Sequence, residues 1–182
     1  MNIEKKELRA SVREGYQILL RVEAELNVPT DSEKINDFYQ RLAEKCMLWA
    51  TDVHGEMLRR DFLSMESIRE RSQCRTQEYR FLLRPIRICE EYAVFLCESW
   101  LKGRTGGLKN GYHRISHVWD LQEETILPFS QILKKFEPEE SDFVLPFVPD
   151  GIYPTGDELV FFKNASAENS FLEERRKQKA NK

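Results

Sequence analysis

Apolar positions in the first sixty residues recur at helical steps. Leu8, Val12, Tyr16, Leu19 and Leu26 are separated by Lys, Arg and Glu, and this pattern predicts a helix over residues 3–26. Gly15 lies inside it and weakens it by about 1 kcal/mol relative to alanine. "NVPTDSE" ends that helix and begins another: Pro29 blocks continuation, and Thr30 followed by Glu33 has the spacing of a capping box. The second helix carries Ile35, Phe38, Leu42, Cys46, Trp49, Val53 and Met57 on one stripe, widened by Tyr39, Ala43 and Ala50. That stripe is expected to face the core. In the next segment, "RRDFLSMESIRERSQCR", three acids offset the five arginines, and a solvated helix end explains it better than an anion site.

From Thr76 onward the helical stripe disappears. "TQEYRFLLRPIRI" and "YAVFLCESWL" are rich in aromatic and aliphatic residues and predict strands, joined by a tight turn at "CEEY". Pro85 gives nothing to a ladder, so the first of these is expected at an edge or to contain a bulge. "YHRISHVWDL" predicts a third strand. His113, Ile115, His117, Trp119 and Leu121 point one way, and Tyr112, Arg114, Ser116, Val118 and Asp120 the other. "FSQILKKF" reads as a short helix or turn. The turn residues Pro154 to Asp157 divide a hairpin between Ile152-Tyr153 and Leu159 to Phe162. The closing "EERRKQKANK" is expected to be frayed or helical. Helices followed by strands define an α+β class, with N-terminal helices packed on a mainly antiparallel sheet. The expected division is one domain over residues 1–165, helical over 1–62 and mainly strands over 76–163, followed by a charged tail over 166–182.

Composition narrows the function only a little. A chain of 182 residues is long enough to bury a sizeable core. The 28 basic and 31 acidic side chains leave no basic excess, so a nucleic-acid partner is not expected. No apolar run approaches the ~20 residues of a spanning helix, and no leader is visible, which predicts a cytoplasmic protein with no membrane contact. Cys46, Cys74, Cys89 and Cys97 form no CxxC pair, so free thiols are expected in place of a zinc or redox site.

The candidate chemistries are weak. His113 and His117 have an H-x3-H spacing, but in a strand they lie about 13 Å apart at ~3.3 Å per residue, too far to share one ion. The loop Gly103 to Gly111 is glycine-rich and carries Arg104 and Lys109. It leads into a strand, lacks a GK[ST] ending, and so reads as a connection and not a phosphate cradle. As a polar loop it is nevertheless the best surface candidate for a partner, through Arg104, Gly106, Gly107, Lys109, Tyr112 and His113. There is no nucleophile elbow. Around His54, Asp52 and Glu56 sit at helical offsets that do not share its face. Asp120, Glu123 and Glu124 are explained by a charged turn.

The segments "SEKINDFYQRL", "ESWLKGRTGGLKNGYHRISHVWDLQEETILPFSQIL" and "DGIYPTGDELVFF" together resemble a bacterial domain of unknown function. That domain forms the C-terminal, extracytoplasmic part of RsiV-type anti-sigma factors and accompanies some peptidoglycan deacetylases. The resemblance spans about residues 32–164. It rests on Ile35-Asn36 at a helix start, Gly106-Gly107, Asp120-Leu121 after an aromatic strand, the apolar segment Ile126 to Leu133, and the strand Leu159 to Phe162. Leu108-Lys109 stands where that family has a histidine, the family's closing motif is missing, and a helix is expected at the N-terminus in place of an extended segment. The resemblance implies an α+β scaffold without catalysis. Signalling members bind an outside ligand such as lysozyme, a role that a cytoplasmic chain does not take.

The leading expectation is therefore a binding or regulatory module, recognising an unidentified protein or small ligand, with no cofactor and no metal. A hydrolase or metal enzyme using His113 or His117, and a homo-oligomer docking through the N-terminal helix, remain as alternatives.

Overall fold

A computed structural model describes residues 1–102, 112–139, 144–164 and 171–178. The first surprise is the N-terminus. Residues expected to be helical form a hairpin instead, β1 (Ile3–Glu14) and β2 (Gln17–Pro29), turning at Gly15, whose φ of 55° favours glycine. The same residues satisfy a period of two better than one of 3.6: Leu20, Val22, Ala24, Leu26 and Val28 alternate with Arg21, Glu23, Glu25 and Asn27, and all five apolar side chains are buried. Lys, Glu and Arg favour a helix, but burial of that face outweighs their propensity.

The helix that follows, α1 (Glu33–Trp49), starts as expected but from a different cap. Ser32 accepts from the Ile35 amide at 3.3 Å and donates to Glu124 at 2.8 Å, while Thr30 belongs to the hairpin end. The chain continues through a π-helical turn, Ala50–Gly55, into α2 (Glu56–Ser64). The buried stripe runs through Ile35, Tyr39, Ala43 and Ala50, then Leu58 and Phe62, whereas Trp49, Val53 and Met57 of the expected stripe are exposed. The π turn shifts the phase of every later residue, which accounts for Val53 and Met57; Trp49 precedes it, at the end of α1. Gly55 is pressed onto β1 here, and a Cβ in its place would fall 2.5 Å from Val12 Cγ2. Gly55→Ala is accordingly expected to destabilise by about 1–3 kcal/mol despite alanine's better helix propensity, readable as a lower urea midpoint with unchanged slope.

A short α3 (Ile68–Gln73), closed by a Ser67–Glu70 capping box, leads into β3 (Gln77–Ile88), β4 (Tyr92–Lys102) and β5 (Tyr112–Asp120), as the sequence predicts. The register slips between Pro85 and Arg87, which is the anticipated bulge. A two-residue β6 (Thr125–Ile126), α4 (Phe129–Lys135), and β7 (Gly151–Pro154) paired with β8 (Glu158–Asn164) follow. Where it is described, the charged terminal segment is extended and not helical. It adds β9 (Phe171–Lys177) to the edge of β8, where Arg175 pairs with Glu158 at 3.3 Å.

Among the described residues there are two sheets, ordered β1-β2-β3-β4-β5-β6 and β7-β8-β9; β2 and β3 are parallel and the other pairs antiparallel. The α+β class holds, with sheet predominating. One face of the large sheet packs on α1 around Tyr39, Phe95, Leu83 and Trp119. On the opposite face, Tyr92, Val94, Leu96 and Val118 meet Ile152, Leu159 and Phe162 of the small sheet. The small sheet packs against β4 and β5, and the outer face of β1–β3 carries charged, half-exposed side chains.

Candidate functional site

The strands before and after residues 103–111 are β4 and β5, and their register sets a polar cluster on one face of the sheet. Glu98 lies opposite Arg114, and Trp100 opposite Tyr112, all on the face turned away from α1. Glu98 is 3% exposed. Its Oε2 accepts from Arg84 Nε at 2.9 Å, and its Oε1 accepts from Arg114 Nη2 at 2.8 Å, Arg114 Nε at 3.1 Å, Arg84 Nη2 at 3.3 Å and the Tyr112 hydroxyl. Burial alone would raise the Glu98 carboxyl, but hydrogen bonds from Arg84, Tyr112 and Arg114 outweigh it and hold the group below the ordinary range. Burial and the adjacent Glu98 carboxylate push the Tyr112 phenol up to about 12. A carboxylate this fully engaged is a poor proton acceptor.

Arg114 ties the two sheets together. Its guanidinium lies 5.7 Å from the centre of the Phe162 ring and 3.6 Å from Glu173. Its backbone is held by Asn164, which accepts from the Arg114 amide at 2.7 Å and donates to the Arg114 carbonyl at 2.9 Å. The Asn164 side chain thus occupies a stretch of the outer edge of β5, where another strand would pair.

Trp100 stacks on Tyr112 with ring centres 6.0 Å apart and planes 17° from parallel. Beside it, a groove of about 350 Å³ opens on the outer sheet face, bordered by Glu7, Arg9, Glu23, Glu25, Arg80 and Trp100. Its charges are largely matched among themselves: Arg80 reaches Glu23 at 3.6 Å, and Lys5 reaches Glu25 at 3.1 Å. The groove presents mixed charge around an aromatic wall.

The residues proposed from sequence divide unevenly. Arg104, Gly106, Gly107 and Lys109 lie outside the described residues. Tyr112 is at the site, but its hydroxyl is committed to Glu98. His113 projects, exposed, from the α1 side of β5, away from the groove. His117 is on that same side, largely buried beside Phe38 at 5.3 Å and Tyr39 at 5.7 Å, with Cys97 Sγ 3.8 Å from its Nδ1. Burial lowers its pKa to about 4, so the ring is neutral at physiological pH. Both histidines lie in extended chain, and among the described residues no three His, Cys, Asp or Glu side chains gather as a metal-binding group. His54 packs edge-on against Trp49 at 4.5 Å, and Asp120 caps a turn through the amides of Gln122 and Glu123. All four cysteines are free thiols.

Sequence reasoning missed Glu98, Arg84, Arg114 and Trp100. One signal was available. Glu98 is an acid in the run "YAVFLCESWL", on a strand otherwise apolar enough to be covered on both faces, so a basic partner was to be sought across the register.

No protein-family model matches the chain, and no curated protein matches it. Solved structures similar to it include two members of one family. A DUF3298 family protein from Pseudomonas aeruginosa PAO1 aligns with a TM-score of 0.49 and 12% identity over 97% of this chain and 88% of that one. A member of the same family from Bacteroides fragilis NCTC 9343 aligns with a TM-score of 0.49 and 10% identity over 76% of this chain and 62% of that one. Among the described residues no helix is long and apolar enough to cross a membrane.

Proposed function

We propose that the chain is a binding or regulatory module without catalysis, and that its ligand surface is the groove beside Trp100 together with residues 103–111, which follow β4 in the sequence. The observation that supports this most is the contrast between two neighbouring polar regions. The buried acid, Glu98, is consumed by structural hydrogen bonds, whereas the groove next to it is open, aromatic on one side and charged on the other. Such a surface suits a polar segment or small ligand that stacks on an indole and exchanges charge pairs at its margins. A cytoplasmic location belongs to the same reading, supported by the four free thiols. So does kinship with the RsiV-type domain. It rests on motifs that occupy framework positions here: Ile35 and Leu159 to Phe162 in the core, and Asp120 at the end of β5.

Affinity capture with the purified chain tests the proposal. Trp100→Ala is expected to weaken retention of a captured partner by about tenfold or more, as for an aromatic anchor, and Arg104→Ala with Lys109→Ala to weaken it as well. Undiminished capture by both variants removes this surface from consideration. Turnover in a hydrolase screen that disappears with His113→Ala replaces the binding reading with an enzymatic one.

A further inference from the structure

We infer that β1 is a homodimer interface, on which a second copy of this chain adds its own β1 antiparallel to form one sheet across a two-fold axis. This is independent of what the groove binds. Among the described residues β1 pairs only with β2, which leaves one backbone edge of a 12-residue strand without a strand beside it. The polarity of that edge follows from two observations. The Thr30 amide donates to Asn2 O at 2.9 Å, so the Asn2 carbonyl is directed towards β2. Ile3 lies opposite Pro29, which has no N–H to give it. By alternation, the backbone groups of Lys5, Glu7, Arg9, Ser11 and Arg13 turn outward.

A free edge dense in lysine, arginine and glutamate ordinarily resists pairing, because most registers set like charges opposite each other. Self-pairing of β1 centred on Glu7 opposes two Glu7 carboxylates; centred on Arg9, two guanidinium groups; centred on Ser11, Arg9 against Arg13. Centring on Leu8 pairs Glu7 with Arg9 but sets Lys6 against Ala10 and Glu4 against Val12, with no apolar pair flanking the centre. The register centred on Ala10 differs. It places Leu8 against the second copy's Val12 and Ala10 against Ala10 on the side facing α1, continuing the apolar layer. At its margin Lys6 meets Glu14. On the outer face Glu7 meets Arg13, and Arg9 meets Ser11. Each pair occurs twice by symmetry, so four opposite-charge pairs flank an apolar centre, and the outward backbone groups of Glu7, Arg9 and Ser11 and the Arg13 amide fall into hydrogen-bonded positions, the Arg13 carbonyl being shared with Arg59. Arg59, which donates to the Arg13 carbonyl at 3.3 Å and pairs with Glu14 at 3.1 Å, adds a positive charge at each end of the seam.

Light scattering on the full chain, without any ligand, reads the result. The expected mass is twice the 21.6 kDa of one chain. Ser11→Pro removes an outward amide and leaves the ladder to β2 intact, so it is expected to give a folded monomer. Glu7→Arg alone is expected to weaken association at least about tenfold by opposing Arg13, and adding Arg13→Glu to restore it. Ala10→Cys is expected to yield a reducible cross-linked dimer, because facing Cβ atoms at a non-hydrogen-bonded pair suit a disulfide. A wild-type monomer at millimolar concentration overturns the inference. So does a dimer that neither Ser11→Pro nor Glu7→Arg perturbs, since its interface then lies elsewhere.

Discussion

Glu98→Ala is expected to lower the free energy of unfolding by about 3–5 kcal/mol, the range for removing one partner of a buried ion pair. Two effects combine. Arg114, whose side chain is 5% exposed, loses the carboxylate 2.8 Å from its Nη2 and keeps Glu173 at 3.6 Å. Tyr112 loses the acceptor of its hydroxyl beneath the Trp100 ring. Arg84 contributes much less, because its side chain is 44% exposed and water replaces the carboxylate. The loss therefore belongs to the stranded groups and is no measure of the network's net worth. Replacing Glu98, Arg114 and Tyr112 together by Leu, Met and Phe is expected to recover most of it, since the desolvation of the pair then vanishes as well. Denaturant unfolding of the single and triple variants decides the matter. A Glu98→Ala loss below about 1 kcal/mol would mean that water already reaches the cluster.

Acid is expected to destabilise the fold in two stages. His117 has a folded pKa of about 4 against 6.5 for an ordinary histidine, because burial disfavours the charged ring. Between those values the unfolded chain binds more protons than the folded one, so stability falls as pH drops from about 6.5 to about 4. A difference of that size corresponds to about 3 kcal/mol at most. Glu98 acts in the same direction lower down. Its folded pKa is depressed, so its contribution is present above the unfolded carboxylate value and is lost as pH falls through the folded one. His117→Phe, which keeps an aromatic ring beside Phe38 and Tyr39, is expected to flatten the first stage and leave the second. Urea midpoints measured from pH 7 to 3 check it, and an unchanged slope above pH 4.5 in the variant would assign the loss to another group.

The strand half was legible because its burial is written in runs and alternations. In β4, Tyr92 to Cys97 read as uninterrupted apolar chain since Tyr92, Val94 and Leu96 enter one core and Ala93, Phe95 and Cys97 the other. In β5 the alternation placed both histidines correctly. The N-terminal hairpin was misread because its charged residues are good helix formers, and because apolar residues four apart satisfy a period of two as well as a helix. Only "LLRVEAELNV" carried a decisive alternation. The terminal strand β9 was hidden for a different reason. Its stability comes from its pairing with β8 and from long-range ion pairs to Glu158 and Arg114, which no local pattern encodes. The polar network escaped for the same cause, since Glu98 and Arg114 are brought together by register alone.

The parallel seam between β2 and β3 governs the order in which this fold can assemble. On either side of it lie hairpins, β1–β2 and β3–β4, whose partners are neighbours along the chain and close within microseconds. The seam itself joins residues 57 positions apart, Leu20 to Gln77, and is bridged by all of α1, the π turn, α2 and α3. Closing it before that crossover has condensed would confine a long flexible segment for little enthalpy in return. The two hairpins on either side are therefore expected to form ahead of the helical crossover, and the β2–β3 seam to close after it.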